Sequence, residues 1–305
     1  MKDTCFLFAG QGSQYPGMGR ELLELFPRTE QILKAGSDIL GFDLKKACFE
    51  YDAEALSQTE VSQPAILAVS LISWEALRTL ELEPAACAGH SLGEYAAMTA
   101  AGMISLEDAF RLIKARAHAM GLCARTQDGA MCAVMADAEE IEKVCTETEG
   151  FVTPVNYNSP AQTVVAGERT AVEALMETFA GLGKRCVRLA VSAAFHTKLM
   201  EPAAAELREA AAKVSFRQPE IPFYSNVTGA LLTDCADMPG YLARHLVSPV
   251  RFVEELRAIQ SAGCVRYVEC GPGKVLTGLV RKTLEDVQPF NVENAKTFEK
   301  LRSAL

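Results

Sequence analysis

Gly89-His90-Ser91-Leu92-Gly93-Glu94-Tyr95 stands between two segments of different character. Ala85-Ala86-Cys87-Ala88 before it is short, small and apolar, and reads as the end of a buried strand. Ala96-Ala97-Met98-Thr99-Ala100-Ala101 after it reads as a helix that stops at Gly102. Gly-x-Ser-x-Gly between a strand and a helix is the pattern of a nucleophile elbow, which presents the serine on a sharp turn near the positive end of the helix. In that geometry the N–H of Leu92 points to where an oxyanion would form. The same residues also fit a tight strand–helix turn without chemistry, so the flanking chain has to decide between the two.

On the N-terminal side, Thr4 to Ala9 reads as a buried strand that runs into Gly10-Gln11-Gly12-Ser13-Gln14. Tyr15 occupies the position that would complete a dinucleotide fingerprint, so that motif fails. The loop either brings backbone N–H groups near a reacting centre or is a plain turn. Pro64 to Leu80 is apolar almost all round, which predicts a central buried helix with Pro64 in its first turn. Strand, buried helix, strand, elbow and helix is α/β order.

Beyond the elbow, Ser105 with Asp108 three residues on predicts a helix start, and the helix extends to Met120. Leu106, Ala109, Phe110, Ile113, Ala117 and Met120 fall on one stripe at 3.6 residues per turn. Arg111, Lys114 and His118 fall opposite, on a solvated face. The base of Arg116 is flanked by apolar neighbours, so its guanidinium must snorkel, pair with a carboxylate, or face a cavity that receives an anion.

From Gly129 the pattern changes. Strands are expected over Ala130–Ala136, Val152–Tyr157, Thr163–Ala166 and Arg185–Val191, and helices over Ala138–Thr148 and Arg169–Leu182, with a turn at Asn158–Gln162. The order βαββαβ is ferredoxin-like. The expected division is an α/β domain from residues 1–125 and 192–305, with a small subdomain over 126–191 inserted in it. After Ser192-Ala193-Ala194-Phe195-His196 a helix is expected from about Thr197 to Val214. α/β character then resumes, with a strand at Pro222–Asn226, a helix at Phe252–Ser261 and a strand at Val265–Glu269. Gly271-Pro272-Gly273-Lys274 lacks the spacing of a phosphate loop and reads as a turn.

The chain has 305 residues and a net charge of −9, from 30 basic and 39 acidic residues. That balance argues against general nucleic-acid binding. It leaves room for an anionic small substrate met by a few local arginines. The ten cysteines show no Cys-x-x-Cys, which points to reduced thiols rather than a disulfide framework or a zinc site. No stretch approaches the ~20 apolar residues of a membrane helix. The N-terminal apolar run behind a single lysine is too short for a signal peptide. The expected setting is the cytoplasm.

Ser91 needs a base, and there are four histidines to choose from. His90 is its immediate neighbour and badly placed to reach Oγ. His118 lies on the solvated face, and His245 is expected on the polar side of a helix. His196 is the best candidate, because it follows a strand end and begins a helix whose positive terminus keeps an imidazole neutral.

FAGQGSQ at 8–14, QPAIL at 63–67, GHSLGEY at 89–95, AR at 115–116, NYNSP at 156–160, AAFH at 193–196, SPVRF at 248–252 and ECGPGK at 269–274 together resemble the malonyl-CoA:acyl carrier protein transacylases. The match runs in order along the whole chain. The resemblance implies a hydrolase-like α/β domain with a ferredoxin-like insert, in agreement with the element order above. It implies Ser91 as nucleophile, His196 as base, and the N–H groups of Gln11 and Leu92 as the oxyanion hole. It implies Arg116 as the partner of the malonyl carboxylate and Gln63 and Asn158 as pocket-lining residues. Phe195 matches a position linked to acyl selection. The main-chain carbonyl of Arg251 would hold the other N–H of His196, giving a dyad oriented by backbone. Ala9 stands where many relatives carry proline, and Arg251 where some carry glutamine.

The activity so implied is malonyl transfer from malonyl-CoA to the phosphopantetheine thiol of holo acyl carrier protein, for fatty acid biosynthesis. A malonyl-serine intermediate carries the group, and no metal or redox cofactor takes part. The expected state is a monomer. Lys184, Arg185, Arg188 and Lys198 either form a basic rim for the acidic carrier protein or are ordinary solvated charge. Three competing readings are a serine hydrolase or thioesterase, a non-catalytic carrier-protein binder, and a free-standing acyltransferase serving a polyketide synthase. Arg116 in an apolar stripe gives a hydrolase nothing, and an intact Ser91, His196 and Arg116 argue against a dead copy. The pathway, strictness for malonyl over methylmalonyl, and the carrier-protein footprint are not written in the sequence.

Overall fold

The computed structural model describes residues 3–191 and 193–305. Lys2, the basic residue of the N-terminal reading, and Ser192, which opens the run to His196 and marks the expected domain boundary, lie outside the described residues. The larger unit is built on a four-stranded parallel sheet in the order Gln288–Val292, Arg266–Cys270, Thr4–Phe8, Ala86–Gly89. Cys5, Phe6, Leu7, Phe8, Cys87 and Val268 are fully buried, because helices cover both faces. A parallel bridge from Cys87 to Phe223 extends the sheet past the elbow strand. The expected strand at Pro222–Asn226 is therefore short, and its regular part is Tyr224–Ser225 paired with Ala230–Leu231. No helix among the described residues is long and apolar enough to cross a membrane.

The central helix runs Thr59–Arg78 and is buried without a break from Ser62 to Ser73. It begins more than a turn before Pro64, so the proline lies inside it rather than in its first turn. Proline there removes its N–H donor and crowds the Glu60 carbonyl one turn back, and the surrounding core holds the turn that this weakens. The helix behind the elbow is Gly93–Ala100, and the long helix after it is Leu106–Thr126, six residues longer than its periodicity predicts. Ser105 caps that helix by accepting the Asp108 N–H at 3.1 Å. Arg111, Lys114 and His118 are exposed as expected.

Gly129–Val134, Val152–Ser159, Gln162–Glu168 and Cys186–Arg188 form a separate antiparallel sheet, with helices Ala138–Glu147 and Arg169–Gly181. Counted within this unit, the strand order is 2-3-1-4, which is the ferredoxin-like arrangement. The architecture is thus an α/β domain carrying a ferredoxin-like subdomain. The hairpin is tighter than expected: Asn158 belongs to the strand, and only Pro160 and Ala161 form the turn. Asn156 pairs with Val250 of the larger unit, through Val250 N–H to Val155 O at 2.8 Å and Tyr157 N–H to Val250 O at 2.9 Å. The cleft between the two units lies beside this junction.

Candidate active site

The elbow forms because only glycine fits on either side of Ser91. A Cβ on Gly89 would collide with the Gly93 backbone, and one on Gly93 with the Phe8 carbonyl. Ser91 itself takes φ +54°, in the left-handed region that side chains rarely adopt. His196, on the facing wall, is strained in the same way at φ +63°. It is followed by one 3-10 turn, Lys198–Met200, capped by the Thr197 hydroxyl, and then by helix Glu201–Ala211.

These two residues meet. Ser91 Oγ lies 2.7 Å from His196 Nε2. His196 Nδ1 lies 3.0 Å from the His245 carbonyl and 3.1 Å from that of Ser248. Carbonyls only accept, so Nδ1 carries the proton and Nε2 is free to accept from the serine hydroxyl. Burial, reinforced by the positive Arg116, lowers His196 to about 3 and keeps the ring neutral.

The orienting acceptors are a correction to the expectation for Arg251. That residue precedes helix Phe252–Ser261, and its carbonyl accepts the Glu255 N–H at 3.0 Å. Its guanidinium goes outward to Glu254. The carbonyls that do hold His196 come from the end of helix Met238–Val247. The last carbonyls of a helix have no partner within it, and Pro249 ensures that the chain does not continue. The negative end of that helix also favours the imidazolium that forms when His196 takes a proton. His245 is a second correction. It is fully buried rather than on a polar face, with Nε2 3.6 Å from Glu94 Oε2.

Arg116 is 1% exposed. Nη1 donates to Gln63 Oε1 at 2.6 Å, and Nη2 donates to Ser91 Oγ at 2.9 Å. The guanidinium lies 5.6 Å from the centre of the Tyr95 ring, and its Nε has no hydrogen-bond partner among the described residues. No carboxylate pairs with it among the described residues. Its burial excludes the snorkelling reading, and through Nη2 it reaches Ser91 Oγ, which lines the cavity. Gln63 is turned to serve it, because its amide nitrogen points to Met120 Sδ at 3.5 Å.

Gln11, His90, Ser91, Met120, Phe195 and His196 line a cavity of about 230 Å³. The Gln11 side chain is tied to Thr59 at 2.8 Å, which fixes the loop. The N–H groups of Gln11 and Leu92 have no acceptor among the described residues. Asn158 lines an adjoining lobe and holds His90 Nε2 at 2.8 Å. The sequence reading missed this role for His90, and it also missed Asn226, whose Oδ1 accepts the Ser91 N–H at 2.7 Å. Of the four basic residues suggested for a rim, Lys184 pairs with Glu140, Arg188 with Glu173, and Lys198 covers the Phe151 ring. Arg185 is exposed.

Residues 5–300 match the family described as acyl transferase domain. The chain is 38% identical over 304 residues to the malonyl CoA-acyl carrier protein transacylase of Bacillus subtilis (strain 168), covering 98% of this chain and 96% of that one. A crystal structure of the Streptococcus pneumoniae enzyme is 40% identical with TM-score 0.92, over 99% of this chain and 100% of that one. A malonyl-transacylase solved in complex with its type II polyketide synthase acyl-carrier protein is 35% identical with TM-score 0.95, over 99% of this chain and 100% of that one. Near-complete coverage in both directions extends the likeness from the elbow to the whole fold, and the chain belongs to the malonyl CoA-acyl carrier protein transacylase family.

Proposed function

We propose that this enzyme transfers the malonyl group of malonyl-CoA to the phosphopantetheine thiol of holo acyl carrier protein in two half-reactions. In the first, His196 Nε2 takes the Ser91 hydroxyl proton while Oγ attacks the thioester carbonyl. The N–H groups of Gln11 and Leu92 receive the oxyanion. The C–S bond breaks, the CoA sulfur takes the proton back from His196, and a malonyl ester remains on Ser91. In the second, His196 takes the carrier-protein thiol proton, the sulfur attacks the ester, and Oγ leaves with the proton. On the enzyme's side, these steps call on its own side chains and N–H groups.

The observation that carries this reading is the buried guanidinium of Arg116, 2.9 Å from Ser91 Oγ and without a carboxylate partner among the described residues. A charge so placed selects an acyl group that brings its own anion, and malonyl does. The named relatives support the same substrate and acceptor. The proposed setting is a monomer in the cytoplasm feeding fatty acid biosynthesis, which suits ten cysteines that are all free thiols. The test is intact mass spectrometry after mixing with malonyl-CoA. One malonyl adduct mapping to Ser91, absent in Ser91→Ala and discharged by holo acyl carrier protein, is expected. An adduct on a cysteine, or discharge by water as fast as by the thiol, would overturn the reading.

A further inference from the structure

Behind the elbow lies a buried polar cluster that the acyl-transfer steps do not use. It comprises Glu94, Ser225, Asn226, Tyr241, His245 and Glu255, all buried. Tyr241 donates to Glu94, and a Tyr241–Ser225 bond closes the far side. Asn226 occupies the near side. Its backbone N–H donates to Glu94 Oε1 at 2.6 Å. Its side-chain amide donates to the Gly89 carbonyl and to Glu255 Oε2, each at 2.7 Å. Its Oδ1 accepts the Ser91 N–H at 2.7 Å, with His245 Nε2 3.4 Å away. Its own carbonyl accepts the Arg251 N–H at 2.9 Å.

From this geometry we infer that Asn226 is the positioning residue of the Ser91–His196 dyad. One planar amide spans the elbow, donating to the residue two before the turn's serine and accepting from the serine itself. The left-handed φ of Ser91 is costly for a residue with a side chain and persists only where neighbours over-determine it. Asn226 supplies that determination. It also reaches the other half of the dyad. Arg251 N–H ties it to the segment that begins at Ser248, whose carbonyl holds His196 Nδ1. Serine and histidine are thus referred to one buried residue, the serine through its side-chain amide and the histidine through its backbone carbonyl, and their 2.7 Å separation follows from it. The inference rests on the proposed reaction only through this dyad.

Its test therefore uses a small dialkyl fluorophosphate, which esterifies an activated serine with loss of fluoride and needs neither malonyl-CoA nor carrier protein. The readout is the rate of Ser91 modification by intact mass, with the thermal midpoint recorded beside it. Asn226→Ala is expected to slow modification at least tenfold. Tyr241→Phe removes hydrogen bonds from the same cluster without touching the elbow, and it is expected to lower the midpoint yet label within twofold of wild type. Asn226→Asp fills the same volume and keeps the acceptor for Ser91 N–H, so it should fold and label at an intermediate rate. In the malonyl reaction kcat should fall for both Asn226 variants while KM stays within twofold. Either folded Asn226 variant labelling at the wild-type rate, or Tyr241→Phe slowing as much as Asn226→Ala, would overturn the inference. Wild type that takes the fluorophosphate but no malonyl group would instead sink the acyl-transfer reading and leave this one standing.

Discussion

Arg116 and Ser91 are hydrogen-bonded to each other, Nη2 to Oγ, at 2.9 Å. The group that would bind the substrate's carboxylate therefore touches the group that would attack its carbonyl. A cation beside the hydroxyl favours the alkoxide, and the same cation is within reach of an acyl group attached there.

Arg116→Ala should lower kcat/KM for malonyl-CoA at least tenfold, because a charge-assisted bidentate pair contributes on the order of 1.5–3 kcal/mol or more. Acetyl-CoA gains nothing from the guanidinium, so its turnover should hold or rise. Arg116→Lys should rescue only in part, since an ammonium lacks the planar fork. The ratio of the two kcat/KM values, with folding checked by circular dichroism, decides it. An equal fall for both substrates would make Arg116 a structural residue.

The depressed His196 sets a pH dependence. An imidazole near 6.5 would lose about tenfold of its neutral form at pH 5.5. With His196 lowered to about 3, the base stays neutral, and the acylation rate should be flat from pH 5 to 8. Single-turnover measurements across that range check this. A fall centred near 6.5 would mean that the ring is more hydrated than its burial says. His196→Ala should slow both half-reactions while leaving the fold intact.

Glu94 carries the opposite linkage. Burial raises its carboxyl to about 8, against the pull of the Asn226 N–H, the Tyr241 hydroxyl and Arg116. The folded protein holds that proton where the unfolded chain has released it. The contribution to stability is complete below about 4.5 and is lost as pH rises through about 8. Glu94→Gln cannot ionise, so wild type should lose stability relative to this variant between about pH 4.5 and 8. Urea midpoints measured across that range test it, and a constant difference would show that the carboxyl is ionised in the fold.

Arg251→Gln should be almost silent. Its carbonyl is retained, and its side chain makes only an exposed pair with Glu254, worth at most about 1 kcal/mol. A single-turnover rate within twofold of wild type is expected. A larger drop would give the guanidinium a part in the reaction.

The elbow, the Ser105 cap and the βαββαβ order were legible because each is written in local chemistry: glycines around a serine, a hydroxyl before a periodic helix, and alternation between turn residues. Arg116 was legible as an anomaly, a charge on an apolar stripe, and only the fold shows that it is buried against Ser91 and Gln63. Gln63 and Asn158 were named only through the family likeness; the structure places Gln63 between Arg116 and Met120 and Asn158 against His90. The acceptors of His196 were misread because a main-chain carbonyl has no residue type. The usable signal was a helix stopped by Pro249, which leaves its last carbonyls free. His245 was misplaced because Arg244 and Tyr241 make its helix look amphipathic, whereas its burial comes from Glu94 and Asn226 on distant segments. Asn226 has no motif of its own, and its role exists only where three segments converge.

Val250 hydrogen-bonds the subdomain strand at Val155 and Tyr157, and it lies two residues after Ser248, which holds the base. The insert is therefore not an interchangeable module. A chimaera that exchanges only residues 129–188 with a relative would leave a foreign strand against Val250, and any mismatch there would be passed along two residues to His196. Any exchange of the subdomain should take the 245–251 segment together with it.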